Sequence, residues 1–209
     1  MANVVIIDYG MGNIWSVKSA INYVGSKVDI SDNPEVISKA SHLILPGVGS
    51  FRKAMHNIRH LGIEDAIKSA VIKRGGRILG ICLGMQLLGS QSTEDGMAQG
   101  LGLVPNKVER FNNNTKNPTL KVPHVGFNTV KFSENKGLFS NLPRNSDFYF
   151  VHSYRMLSEH VTGLIGECSY IENFLAAFEV SNVMGTQFHP EKSAELGLQL
   201  LDNFISWKI

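Results

Sequence analysis

The feature that most constrains the fold is an alternation, through the first hundred or so residues, of short apolar runs with stretches of helical periodicity. Val4-Val5-Ile6-Ile7 is too short and too uniformly apolar for an amphipathic helix and reads as a strand buried on both faces. After Asp8-Tyr9-Gly10, residues Trp15, Val17, Ala20, Ile21 and Val24 recur at helical spacing, with Asn13 placed to cap the helix and Gly25 to end it. The order then repeats. Lys27 to Ile30 is a strand, Pro34 to Ala40 a helix, and Leu43-Ile44-Leu45 a strand stopped by Pro46-Gly47. Helices follow at Phe51 to His60 and Glu64 to Arg74, then a strand at Arg77 to Ile81. Strands joined by helical crossovers lie parallel, with helices covering both faces of the sheet.

Past Gly100 the spacing shortens. Val125 to Phe132, Phe148 to Tyr154, Leu164 to Cys168, Phe174 to Glu179 and Val183 to Phe188 read as strands separated by turn signals, and Ala194 to Trp207 as a closing amphipathic helix. Asn112 to Pro118 is a polar loop between the halves. With no repeat and no linker, the expectation is one α/β domain over 1–209: a mostly parallel central sheet flanked by helices, with an antiparallel extension.

Composition narrows the function. With 209 residues, 43% of them hydrophobic, the chain can bury a sizeable core. A net charge of +2 without a Lys/Arg run offers no footprint for nucleic acid or a membrane surface, and no apolar run approaches the roughly eighteen residues of a membrane span. The two cysteines, Cys82 and Cys168, sit in unlike contexts, which argues against a disulfide framework and for a reducing compartment. Met1-Ala2-Asn3 leads into the first strand without a basic leader, so a cytoplasmic location is expected. No metal site or cofactor is expected.

Gly80-Ile81-Cys82-Leu83-Gly84 lies where a buried strand hands over to a helix, Leu83 to Leu88. Glycines two residues either side of a cysteine suit a tight strand-to-helix turn that projects a nucleophile into a cleft, and the helix start favours thiolate. Cys168 has no such turn and reads as a small packing residue. A thiolate nucleophile needs an imidazole to hold it and later to protonate the leaving amine, and the imidazole needs a carboxylate to orient it. His189-Pro190-Glu191 follows the last apolar strand and supplies both. His42, His56, His60, His124, His152 and His160 lack a carboxylate two residues on after a strand. An amide carbonyl under attack needs donors for its oxygen. Leu83 N–H is one, and Val48 in Pro46-Gly47-Val48-Gly49 is a candidate for the second, although that stretch also reads as an ordinary strand-ending turn.

The cysteine turn Gly80 to Gln86 and the later His189-Pro190-Glu191 resemble the signature of the class I, triad-type glutamine amidotransferases. Within that family the chain is most similar, over essentially its whole length, to the glutaminase subunit of imidazole glycerol phosphate synthase. Asp8-Tyr9-Gly10-Met11-Gly12-Asn13, Pro46 to Gly49, Val122-Pro123-His124-Val125-Gly126 and Phe150-Val151-His152-Ser153-Tyr154 carry that likeness.

The resemblance implies a class I glutamine amidotransferase-like fold with Cys82, His189 and Glu191 as triad. It places glutamine against Gly47, Gln86, His152, Ser153 and Tyr154. It also implies a (β/α)₈ synthase partner that receives the ammonia, forms imidazole glycerol phosphate and releases aminoimidazole carboxamide ribonucleotide, with Asn13, Pro123 and Phe127 at the shared face. Phe127 stands where the subunit usually carries tryptophan. A paralogous ammonia-supplying subunit for amidino-sugar synthesis, a γ-glutamyl thiol hydrolase and a non-catalytic interaction subunit stay open as alternatives.

Overall fold

The computed structural model describes residues 3–112, 120–159 and 161–206. Of the polar loop Asn112 to Pro118, only Asn112 falls within them; His160 and Trp207 lie outside. The first half runs β1 (Val4–Ile7), α1 (Ile14–Tyr23), β2 (Val28–Ser31), α2 (Pro34–Lys39), β3 (His42–Gly47), α3 (Phe51–His60), α4 (Ile63–Lys68), β4 (Arg77–Cys82) and α5 (Leu83–Leu87). The second half adds β5 (Gln91–Ser92), β6 (Ala98–Gln99), β7 (Lys107–Arg110), β8 (His124–Phe132), β9 (Asn145–His152), β10 (Tyr154–Met156), β11 (Leu164–Ser169), β12 (Asn173–Val180), β13 (Val183–Thr186) and α6 (Ala194–Ser206).

Among the described residues, nine strands form the main sheet in the order β2-β1-β3-β4-β13-β12-β11-β8-β9. From β2 to β13 every neighbour is parallel; from β12 to β9 every neighbour is antiparallel. The expected mostly parallel sheet with an antiparallel extension is therefore the observed one. Side-chain alternation along each buried strand feeds two cores. Val4, Ile6, Ile44, Leu79 and Ile81 pack with Val17 and Ile21 of α1 and Leu200, Leu201 and Phe204 of α6. Val5, Ile7, Leu43, Leu45 and Ile78 pack with α2, α3 and α4 on the other face. Each fully buried Leu or Phe of α6 contributes about 1.5–3 kcal/mol, so burial against the sheet holds this helix more than its propensity does.

Local expectations are corrected at several places. Asn13 occupies the N-cap position of α1 but its side chain makes no capping bond, and Trp15 is 72% exposed rather than on the buried face. The apolar face of α1 turns on Val17, Ala20 and Ile21 instead. The other end of the helix follows the expectation: Gly25 at φ +85 gives its N–H to Asn22 O and Ser26 N–H reaches Ile21 O. Strand β3 continues through Pro46 and Gly47, pairing them with Ile81 and Cys82. Its other neighbour β1 pairs only as far as Ile44, so a residue without an N–H is tolerated there. The helix expected from Glu64 to Arg74 is α-helical through Lys68 and continues as a π-helical stretch, Ser69–Lys73. The strand expected from Phe148 to Tyr154 divides at Ser153. His152 ends β9 in the main sheet and Tyr154 begins β10 in a second sheet of order β10-β7-β5-β6. The last strand stops at Thr186 rather than Phe188.

Candidate active site

The end of β4 and the start of α5 are held together by missing side chains. A Cβ on Gly80 would sit 2.6 Å from Gly84 O and Met85 N, and one on Gly84 would overlap Leu45 O of β3. Only glycine at both points lets α5 begin directly above the sheet. The residue between them, Cys82, adopts φ +55 and ψ −111, a conformation that costs a non-glycine residue about 1–3 kcal/mol and is held by the flanking packing. The turn brings the nearly buried thiol to a cavity of about 320 Å³.

The wall of that cavity is drawn from distant parts of the chain: Val48 and Gly49 after β3, Leu83 and Gln86 of α5, Glu94, Pro123, Val151 to Tyr154, and His189. His189 is 2% exposed. Its backbone is gripped from two sides, the N–H donating to Tyr149 O at 2.9 Å and the carbonyl accepting from Ser193 Oγ at 2.6 Å. Ser193 Oγ in turn accepts from Tyr149 N–H at 3.0 Å. Pro190 starts a short 3₁₀ turn that swings Glu191 back beneath the ring, and Glu191 Oε1 lies 2.8 Å from His189 Nδ1. Nε2 of His189 makes no hydrogen bond of regular geometry among the described residues, while the Cys82 thiol interacts with the imidazole and favours its protonated form. Burial alone lowers the His189 pKa, but Cys82 and Glu191 outweigh it and hold it up at about 9. Such a ring is cationic at neutral pH, and can face a thiolate.

The residues expected around the substrate do not all reach the cavity. Gln86, His152, Ser153 and Tyr154 line it; Gly47 does not. A Cβ on Gly47 would collide with the hydroxyl of Tyr9, which donates to Pro46 O at 2.9 Å, so this glycine keeps β3 seated against the cysteine turn. Burial and the neighbouring Cys82 push the Tyr9 phenol up, leaving it neutral. Val48 is 44% exposed at the rim, and Gly49 takes φ +100. Of the residues expected at a partner face, Pro123 lines the cavity, whereas Asn13 and Phe127 stand outside it.

Three residues went unnoticed in the sequence. Gln187 is fully buried with its Nε2 3.7 Å from Cys82 Sγ. Glu94 brings a carboxylate to the cavity wall, one oxygen accepting Phe51 N–H at 2.8 Å, and burial raises its pKa. Ser193 is the third, through its clamp on the His189 backbone. Gln187 sits two residues before His189 in the same strand-end segment, and that proximity is the one signal that could have marked it. Glu94 and Ser193 carry none. His42, His124 and His152 separate clearly from His189. Burial drives His152 to about 3 and His124 to about 4, so both are neutral, while His42 lies away from the cavity wall.

Comparison with known proteins points the same way. Residues 5–207 match the family model described as glutamine amidotransferase class-I. The chain is 45% identical over 202 residues to imidazole glycerol phosphate synthase subunit HisH 2 of Methanococcus maripaludis, covering 97% of this chain and 98% of the relative. It is 43% identical over 208 residues to subunit HisH 1 of Parasynechococcus marenigrum, covering 99% of both. Among solved structures, a putative GMP synthase protein from Thermoplasma acidophilum superposes with a TM-score of 0.73 at 17% identity, covering 99% of this chain and 93% of that one. A further glutamine amidotransferase gives 0.73 at 20% identity, covering 98% and 100%. At such identities the likeness is one of fold.

Proposed function

The chain belongs to the class I glutamine amidotransferase family, and from that premise we propose that it is the glutaminase subunit of imidazole glycerol phosphate synthase, supplying ammonia for histidine biosynthesis. The observation that carries the chemistry is His189, held at Nδ1 by Glu191 and sharing a cavity wall with a cysteine in a strained turn.

In the first half-reaction the Cys82 thiolate attacks the side-chain amide carbon of glutamine. A C–S bond forms, the C–N bond breaks, and imidazolium His189 gives its proton to the departing nitrogen, leaving ammonia, a glutamyl thioester and neutral imidazole. Water then adds to the thioester carbonyl with His189 as base. The C–S bond breaks, glutamate leaves, and thiolate and imidazolium are restored. Leu83 N–H and Val48 N–H serve the carbonyl oxygen. Gln86 and the Ser153-Tyr154 backbone hold the amino-acid end of glutamine, and the Glu94 carboxylate at the wall suits its ammonium.

Ammonia must leave unprotonated to be useful, which favours a partner sealed over the cavity. The rim supports one. Val125 and Val151, paired across β8 and β9, are 55% and 38% exposed, and Phe127 is 59% exposed two residues along and paired with Tyr149. An apolar strip beginning at the cavity and running along the sheet suits a protein interface, and we assign it to a (β/α)₈ synthase subunit, with Pro123 at its edge and Asn13 as a further proposed contact. Cys82→Ala tests the reading: with the partner, glutamine-dependent synthesis is expected to vanish while synthesis from ammonium salt at alkaline pH persists. Glutamine use by that variant near the wild-type rate would overturn the assignment.

A further inference from the structure

One backbone carbonyl sets the direction of a hydrogen-bond chain that ends on the reactive sulfur. Tyr154 O can only accept, and it receives Gln86 Nε2 at 2.9 Å and His152 Nδ1 at 2.8 Å. Each bond dictates the sense of its neighbour. The second hydrogen of Gln86 Nε2 goes to Gln187 Oε1, also at 2.9 Å, so the Gln187 carboxamide must turn its NH₂ the other way, and that NH₂ lies 3.7 Å from Cys82 Sγ. Flipping Gln187 alone would set two NH₂ groups face to face; flipping both glutamines would aim Gln86 oxygen at the Tyr154 carbonyl. On the other branch, neutral His152 accepts at Nε2 from His124 Nδ1 at 3.0 Å, and His124 Nε2 accepts from Asn128 Nδ2 at 2.6 Å. Every bond in this chain therefore has one allowed sense.

We propose that Gln187 is a catalytic residue of this glutaminase: its carboxamide N–H, oriented through Gln86 by the Tyr154 carbonyl, holds the Cys82 sulfur in place and stabilises its negative charge before acylation and again as the C–S bond breaks. The inference rests on Cys82 being the nucleophile in the proposed function. Of the other groups near the sulfur, Tyr9 gives its hydroxyl hydrogen to Pro46 O, Val151 O at 3.9 Å can only accept, and the His189 imidazole is the proton-transfer partner, so Gln187 is the side-chain amide donor to sulfur among the described residues. The donor keeps the sulfur in the thiolate form that attacks and stabilises the charge that returns to it as the C–S bond breaks; its partners are Cys82 and Gln86, so its loss falls on turnover more than on glutamine binding.

Two variants test this, because Gln187 is fully buried and one substitution can disturb folding. Gln187→Leu removes the donor and the acceptor for Gln86. Gln187→Met keeps the length of the side chain but has no N–H for sulfur. Both are expected to slow alkylation of Cys82 by iodoacetamide at neutral pH, measured on the chain itself, and to lower kcat of glutamine hydrolysis in the assembled complex by about ten- to a hundredfold, with KM within about twofold. If Gln187→Leu fails to fold, the Gln187→Met result decides alone. Wild-type alkylation and wild-type kcat in a folded variant would overturn the proposal, as would a change confined to KM. A Cys82→Ala chain that still hydrolyses glutamine would instead overturn the underlying assignment, so the two failures are told apart.

Discussion

The main-chain N–H of His189 donates to the carbonyl of Tyr149 at 2.9 Å, and the ring of Tyr149 stands edge-on to exposed Phe127 at 5.5 Å. The residue that fixes the imidazole backbone thus also belongs to the apolar strip outside the cavity. Phe127 and the His189 backbone share one neighbour, Tyr149.

That relationship motivates a test at the surface. Phe127→Asp places a charge on the strip without touching the cavity wall. We expect partner affinity to fall by roughly ten- to a hundredfold, as for loss of an aromatic anchor at an interface. Hydrolysis by the lone chain is expected to be unchanged. The lone chain itself is expected to be slow, because Val48 lies at an exposed rim between glycines and a backbone donor turned away from the carbonyl oxygen costs about a hundred- to a thousandfold. Calorimetric titration of the partner, with glutaminase rates for chain, complex and liganded complex, checks both. Undiminished affinity would move the interface elsewhere, and a lone chain as fast as the liganded complex would remove the case for a partner-set oxyanion site.

Glu191→Gln addresses the 2.8 Å contact to His189 Nδ1. The carboxylate selects the ring tautomer and stabilises its cation, yet is not among the residues of the cavity wall. Turnover should drop by about a hundredfold or more, with KM nearly constant. Steady-state kinetics on the complex decides it: a proportional rise in KM with kcat intact would mean that Glu191 acts on substrate binding.

The histidines also set the pH range of stability. His189 is raised to about 9, so its protonated form contributes stability that is complete below the ordinary histidine pKa and is lost as pH rises through about 9. His124 and His152 are depressed to about 4 and about 3, so their neutral burial favours the fold above the ordinary value and progressively less as pH falls below about 6.5. Urea unfolding from pH 4 to pH 10 should show a maximum between these limbs. Replacing Glu191 with Gln should flatten the alkaline limb, since one of the groups raising His189 is gone. An alkaline limb identical in both proteins would show that His189 is not its source.

Sequence alone determined what depends on neighbours within a few positions. The apolar run Val4 to Ile7 is buried on both faces because its composition leaves no polar side to expose, and the strand-turn-helix at Cys82 follows from glycines two residues to either side. His189 and Glu191 meet because Pro190, the one residue between them, starts a tight turn that brings the carboxylate back to the ring. Tertiary structure decided the rest. Gln187 reaches Cys82 across a separation of 105 residues because β13 lies beside β4, and His124 reaches His152 because β8 pairs with β9. The break at Ser153, which leads residues 151–154 past the cavity, leaves the apolar pattern of Phe148 to Tyr154 unchanged, since a strand passing from one sheet to another keeps its alternation. Periodicity reports which side of an element is buried; strand order, set by the packing of the two cores, chooses what that side meets.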